Sequence, residues 1–149
     1  MSLENDIAVL ARVALFANMS DEQLRLIAFG AEPCTLAQGN LLCRQGEIAD
    51  GGFVLVAGKL ARLVGNSEDI DRTFTETGTL IGELSLLTRC AWQSTIAAET
   101  SCRLLRLPRP LFRRILEEYP QTTREIEQML TADLSTKVRA MEIVAKKLG

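Results

Sequence analysis

Histidine is missing altogether from the 149-residue sequence. That absence removes the commonest metal ligand and the usual general base near neutral pH. No nucleophile and base pair identifies a reaction, so the chain reads as a non-enzyme. Neither sign of charge dominates: 17 Lys and Arg face 19 Asp and Glu, a formal net charge of -2. A general nucleic-acid binder, which neutralises many phosphates with basic side chains, is excluded on that balance. No apolar run approaches the roughly 20 residues of a membrane span. The four cysteines, Cys34, Cys43, Cys90 and Cys102, form no C-x-x-C pair, and the N-terminus lacks the basic-then-apolar pattern of a signal peptide. Reduced, mostly buried thiols in a cytoplasmic protein are expected.

What is present is enough apolar material for one core. At 47% hydrophobic, residues 1–149 are expected to form a single domain. Residues 1–32 carry helical periodicity. Ile7, Leu10, Ala11, Ala14 and Leu15 recur at spacings of three and four, with a break at 17–19. Ser20 and Gln23 then form a capping box for a second helix bearing Leu24, Ile27 and Ala28, which Gly30 and Pro33 end.

From 33 to 108 the texture becomes short apolar or alternating runs punctuated by glycine. "LLCRQGE", "DGGFVLVAGKLARLVG", "RTFTETG", "STIAAE" and "CRLLRLP" read as strands, and "NSEDID" as a polar hairpin loop rather than a calcium site. Turn signals every 8 to 12 residues or so favour an antiparallel β-roll or jelly-roll barrel over a parallel sheet. The fold class expected is therefore α+β, mainly β, flanked by N-terminal helices and a long C-terminal helix. In 109–149 a short helix ends before Pro120. A long one then runs to about Leu148 with Ile126, Leu130, Leu134, Val138, Met141, Val144 and Leu148 in one stripe. At 1.5 Å per residue it spans roughly 40 Å, more than one small core needs. A homodimer through Leu130, Leu134, Val138 and Met141 is the use expected for the surplus. The arginines of "RLLRLPRPLFRR" scatter over several directions and read as solvated surface.

The stretch "GTLIGELSLLTRCAWQSTIAAE" stands apart, because Gly82 and Glu83 open a helical turn whose free N–H groups face outward as an anion site would. With "LFANMSDEQLRLIA", "GNLLCRQGEIADGGFVLVAGKLA" and "RLLRLPRPLFRRILEEYP" in the same order, the chain resembles the cyclic nucleotide-binding domain family over nearly its whole length. The resemblance implies a phosphate-binding cassette across 82–95. In the family, backbone N–H groups of its short helix and an arginine ten positions after the glycine hold the cyclic phosphate, while the glutamate accepts from the ribose 2′-hydroxyl. Gly82, Glu83, Leu84 and Ser85 match the start, and Thr95 and Ala98 the end.

Counting without gaps puts Ala91 at the family's proline and Trp92 at its arginine, with Gln93 and Ser94 following. An indole has one donor and no charge. Losing a bidentate arginine contact weakens binding by roughly ten- to a few hundred-fold. Two rescues are open: a shift in the loop that brings Arg89 or Gln93 to the phosphate, or stacking of Trp92 on a purine. The ligand-binding set expected is thus Gly82, Glu83, Leu84, Ser85, Arg89, Trp92, Gln93 and Ser94. The ligand that the resemblance implies is a cyclic nucleotide (cAMP or cGMP) or related anion, and no cofactor is expected to be required.

The function implied is a regulatory ligand-sensing module of weak cyclic nucleotide affinity. The alternative is a degenerate domain that binds no nucleotide and serves dimerisation or protein interaction. A catabolite-activator-like regulator needs a helix-turn-helix after the long helix, and the chain stops at Gly149, so no DNA binding by this chain alone is expected.

Overall fold

The structure is a computed structural model that describes residues 2–65 and 67–129. Helix α1 (Leu3–Leu10) begins where Ser2 accepts from the Asn5 N–H, and α2 (Asp21–Gly30) begins at Ser20. The predicted capping box is formed in both directions, Gln23 N–H to Ser20 Oγ at 3.2 Å and Ser20 N–H to Gln23 Oε1 at 2.9 Å. The first helix is shorter than its apolar spacing suggests. It ends at Leu10, and Ala14–Phe16 is a separate 3-10 turn after an extended Val13. Val13, Leu15 and Phe16 are all buried, and no single helix face could carry three such close neighbours inward.

The strands are β1 (Glu32–Leu36), β2 (Leu41–Cys43), β3 (Ile48–Ala49), β4 (Gly51–Ala57), β5 (Leu60–Leu63), β6 (Ile70–Phe74) and β7 (Leu80–Ile81). After the short helix α3 (Glu83–Leu87) follow β8 (Cys90–Ala91), β9 (Thr95–Ala98) and β10 (Cys102–Pro108), then α4 (Arg109–Glu118). A further helix occupies 120–129 of the described chain, so Pro120 does separate two helices. Leu130, Leu134, Val138 and Met141, the expected dimer stripe, lie outside the described residues.

All ladders are antiparallel, as the glycine-punctuated runs predict, but the expected roll or jelly-roll barrel is not formed. The strands make two open four-stranded sheets, ordered β1-β10-β4-β7 and β2-β9-β5-β6, and a two-stranded β3-β8 ladder. The reason lies at the edges. Pro33 in β1 has no N–H to offer a further strand. At the other edge β7 is two residues long and runs straight into α3. The sheets therefore meet by packing side chains rather than by hydrogen bonding around a circle.

That packing gives three layers. Strands β4 and β10, the most apolar runs, are buried on both faces, as continuous hydrophobic strands are. Val54, Leu105 and Leu107 join Leu10, Phe16, Ile27, Phe112 and Ile126 in a core shared with the helices. Leu55 and Leu104, their neighbours in sequence, point the other way into a core with Leu60, Ile96 and Cys43. The helix at 120–129 is fastened to α2 by Ile126 and by a buried hydrogen bond of 2.8 Å from Gln23 Nε2 to Thr122 Oγ1. The N-terminal helices and the helix at 120–129 thus lie on the same side of the first sheet.

Candidate functional site

Pairing of β7 with β4 (Phe53 opposite Ile81, Val54 opposite Leu80) delivers the chain to Gly82. There the backbone turns with φ 90° and ψ 42°, the left-handed region glycine tolerates best, and α3 starts at once. Leu86, fully buried, roots the helix in the helical core. Ser85, also buried, directs its hydroxyl at the carbonyls of Gly51 and Gly82, the latter at 2.7 Å. Arg109 reaches across from the start of α4. Its Nε donates to Ser85 O at 2.7 Å and its Nη2 to Ala49 O. One guanidinium therefore ties α3 and β3 to α4.

Beyond α3 the loop is held by backbone. Strand β8 pairs with β3, and then Trp92 N–H donates to Glu47 O at 2.8 Å and Gly46 N–H to Trp92 O at 2.9 Å. The indole stacks on Phe53 with ring centroids 6.1 Å apart and planes at 28°. Its benzo edge sits on Gly82: a Cβ added there would lie 2.8 Å from Trp92 Cζ3 and 2.9 Å from Cη2. Such separations leave no room for an atom between them.

Between α3, the 90–94 loop and strands β5 and β6 lies an open cleft of about 220 Å³. This is smaller than the roughly 300–1,000 Å³ usual for small-molecule sites, as expected where a large ring occupies part of the space. Of the residues expected from sequence, Gly82, Glu83, Leu84, Ser85, Trp92, Gln93 and Ser94 all line it. Arg89 does not: it is exposed on the turn after α3 and is not part of the cleft wall. Ser85 contributes to the wall, but its hydroxyl is engaged with backbone carbonyls.

Three residues that bear on the site are not apparent from the sequence. Arg62 and Phe74 line the cleft from β5 and β6. Arg62 grips Asp71 in a two-pronged ion pair, Nε to Oδ1 at 2.8 Å and Nη2 to Oδ2 at 3.3 Å. The hydrogen bonds from Arg62 hold the Asp71 carboxyl below its ordinary range. Arg109, read above as solvated, is instead half-buried and bonded to backbone, and Arg106 pairs with Glu32 and Asp50 at 2.7 and 2.8 Å. Arg113 and Arg114 are exposed as expected. A charged residue between apolar neighbours in a strand, as in "LARL", with an acidic residue nine positions on across a hairpin, is the signal that finds Arg62.

Cys43 and Cys102 are buried, and Cys34 and Cys90 half-buried, all as free thiols. Burial pushes the Cys43 thiol up to about 11 and also raises Cys34. Among the described residues no group of His, Cys, Asp and Glu is placed to hold a metal ion, and no helix is long and apolar enough to cross a membrane.

Comparison with known proteins agrees with this geometry. The chain is 34% identical over 104 residues to the cAMP-dependent protein kinase type II regulatory subunit of Drosophila melanogaster, covering 70% of this chain and 27% of that one. Over 121 residues it is 25% identical to Lysophospholipase NTE1 of Candida albicans, covering 77% of this chain and 9% of the relative. It thus spans under a third of the one and under a tenth of the other. A solved cyclic nucleotide-binding-like protein from Brucella abortus is 35% identical with a TM-score of 0.68, over 76% of this chain and 98% of that one. The domains matched are regulatory and non-catalytic. The family profile described as Cyclic nucleotide-binding domain matches residues 33–119, the three sheets with α3 and α4, and the chain belongs to that family.

Proposed function

We propose that residues 1–149 act as a single ligand-sensing regulatory domain whose cleft takes a nucleotide-like ligand and whose affinity for cAMP and cGMP is weak. The observation that carries this reading is the benzo edge of Trp92 lying on Gly82. A ring stands where the resemblance calls for an arginine, and it fills the ground beside α3 that a cyclic phosphate would use. Glu83 and Leu84 also line the cleft, which supports α3 as one wall of a ligand site. The name of the Drosophila relative supports a cyclic nucleotide as the ligand class.

Arg109 provides the route of output. A ligand that moves α3 pulls on Ser85 O, and through the guanidinium on α4. Regulation follows only if the ligand prefers one of two arrangements of α3 and α4. A second reading, an interaction module that binds no nucleotide, draws on the same Trp92 packing. It would use the C-terminal helix, through Leu130, Leu134, Val138 and Met141, to pair with a second copy. In an amide NMR titration with cAMP and cGMP at millimolar concentration, the first reading predicts shifts at both 83–87 and 109–118. No shift at any residue favours the second, and shifts confined to 83–87 would remove Arg109 as the link.

A further inference from the structure

The cleft wall carries one acidic and one basic side chain, Glu83 on α3 and Arg62 on β5. In register, Arg62 faces Arg72 on β6 and Ile96 on β9. Arg72 in turn lies over the ring of Phe74, 4.9 Å from its centroid, and Phe74 is part of the cleft wall. The Arg62 guanidinium and two aromatic rings, Phe74 and Trp92, therefore border one opening, with Asp71 the acid paired to Arg62 and Arg72 covering the far face of Phe74. The Arg62–Asp71 pair is partly exposed, at 35% and 42% of its side-chain surface.

A planar guanidinium with parallel N–H groups fits a phosphate as well as it fits a carboxylate. Partly exposed ion pairs add little net stability, so exchanging Asp71 for an incoming anion costs little. From this juxtaposition we infer that Arg62 is the anion-holding residue of the cleft, that Asp71 is its built-in competitor, and that a bound nucleotide directs its phosphate to β5 rather than to α3. The inference rests on the reading of the cleft as a nucleotide site and reverses the ligand's orientation within it. Trp92 then has a constructive part: it closes the α3 end to phosphate and offers an aromatic surface for the rest of the ligand.

Titration calorimetry with cAMP, cGMP, 5′-AMP and uncharged adenosine tests this on the wild type, Arg62→Ala, Arg62→Gln and Asp71→Asn, each checked for wild-type circular dichroism. The expected result is roughly ten- to hundred-fold weaker binding of the phosphate-bearing probes in both Arg62 variants, with adenosine unchanged. Asp71→Asn should tighten those probes up to about five-fold by freeing the fork. Phosphate-dependent binding indifferent to Arg62 overturns the inference and leaves the nucleotide reading standing. No binding of any probe by the wild type and by Asp71→Asn overturns both. Loss of adenosine binding along with the nucleotides in the Arg62 variants would make Arg62 a structural residue and also refute the assignment.

Discussion

Trp92→Ala separates a ring packed into the site from one that merely borders it. Truncating a fully buried tryptophan costs about 3–5 kcal/mol. Trp92 is only half-buried, and its site opens to solvent, so water fills the space left and no closed cavity is created. The stacking on Phe53 at 6.1 Å falls in the favourable range for aromatic pairs, worth about 0.5–1.5 kcal/mol of the total. Together these give a loss of about 2 kcal/mol, which for a domain of this size lowers Tm by roughly 4–8 °C. Urea unfolding followed by circular dichroism measures it, with the exposed neighbour Gln93→Ala as control at under about 0.5 kcal/mol. A Trp92→Ala protein no less stable than the control would refute the packing of the indole on Phe53 and Gly82, and with it the account of the closed phosphate ground.

Arg109→Ala should destabilise the fold by about 1.5–3 kcal/mol, because two charge-assisted bonds to Ser85 O and Ala49 O are lost. Arg109→Lys should restore only part of that in urea titration, since an ammonium cannot reproduce the guanidinium fork. The single tryptophan is Trp92, so any ligand that enters the cleft must alter its emission; fluorescence unchanged at saturation by a calorimetrically bound ligand would place that ligand elsewhere. Cys43 has its folded thiol pKa raised to about 11 from an ordinary 9.0. Its neutral form is favoured by folding, so the stability it contributes is present in full below about pH 9 and is lost as pH rises toward 11. Thiol trapping at pH 8 should label Cys43 more slowly than Cys90, and Cys43→Ser should flatten the alkaline decline.

Features that depend on neighbours in sequence were legible before the structure. Ser20 and Gln23 cap α2 because the motif closes within one turn. Gly46, Gly58, Gly78 and Gly82 mark turns because each takes a positive φ. The runs around them become strands for the same local reason. Features set by partners far along the chain were not legible. Whether two sheets close into a barrel depends on edges such as Pro33 in β1 and the brevity of β7, and periodicity is silent on both. Arg109 looks like a surface charge until Ser85 and Ala49, 24 and 60 residues away, come within reach. Arg62 enters the site only once β5, β6 and β9 are side by side. Gly82, Glu83, Leu84 and Ser85 were named through the family resemblance, and the structure places them on the cleft wall, but the direction of the Trp92 ring follows from Phe53 and Gly82, which neither resemblance nor spacing relates to it.

The most direct test of the account is calorimetric titration of the wild-type domain and of Trp92→Arg with cAMP and cGMP under identical conditions. Weak or silent wild type, with binding strengthened at least ten-fold in Trp92→Arg, is the result predicted from a phosphate ground closed by one ring. Micromolar binding by the wild type that Trp92→Arg leaves unchanged would contradict it.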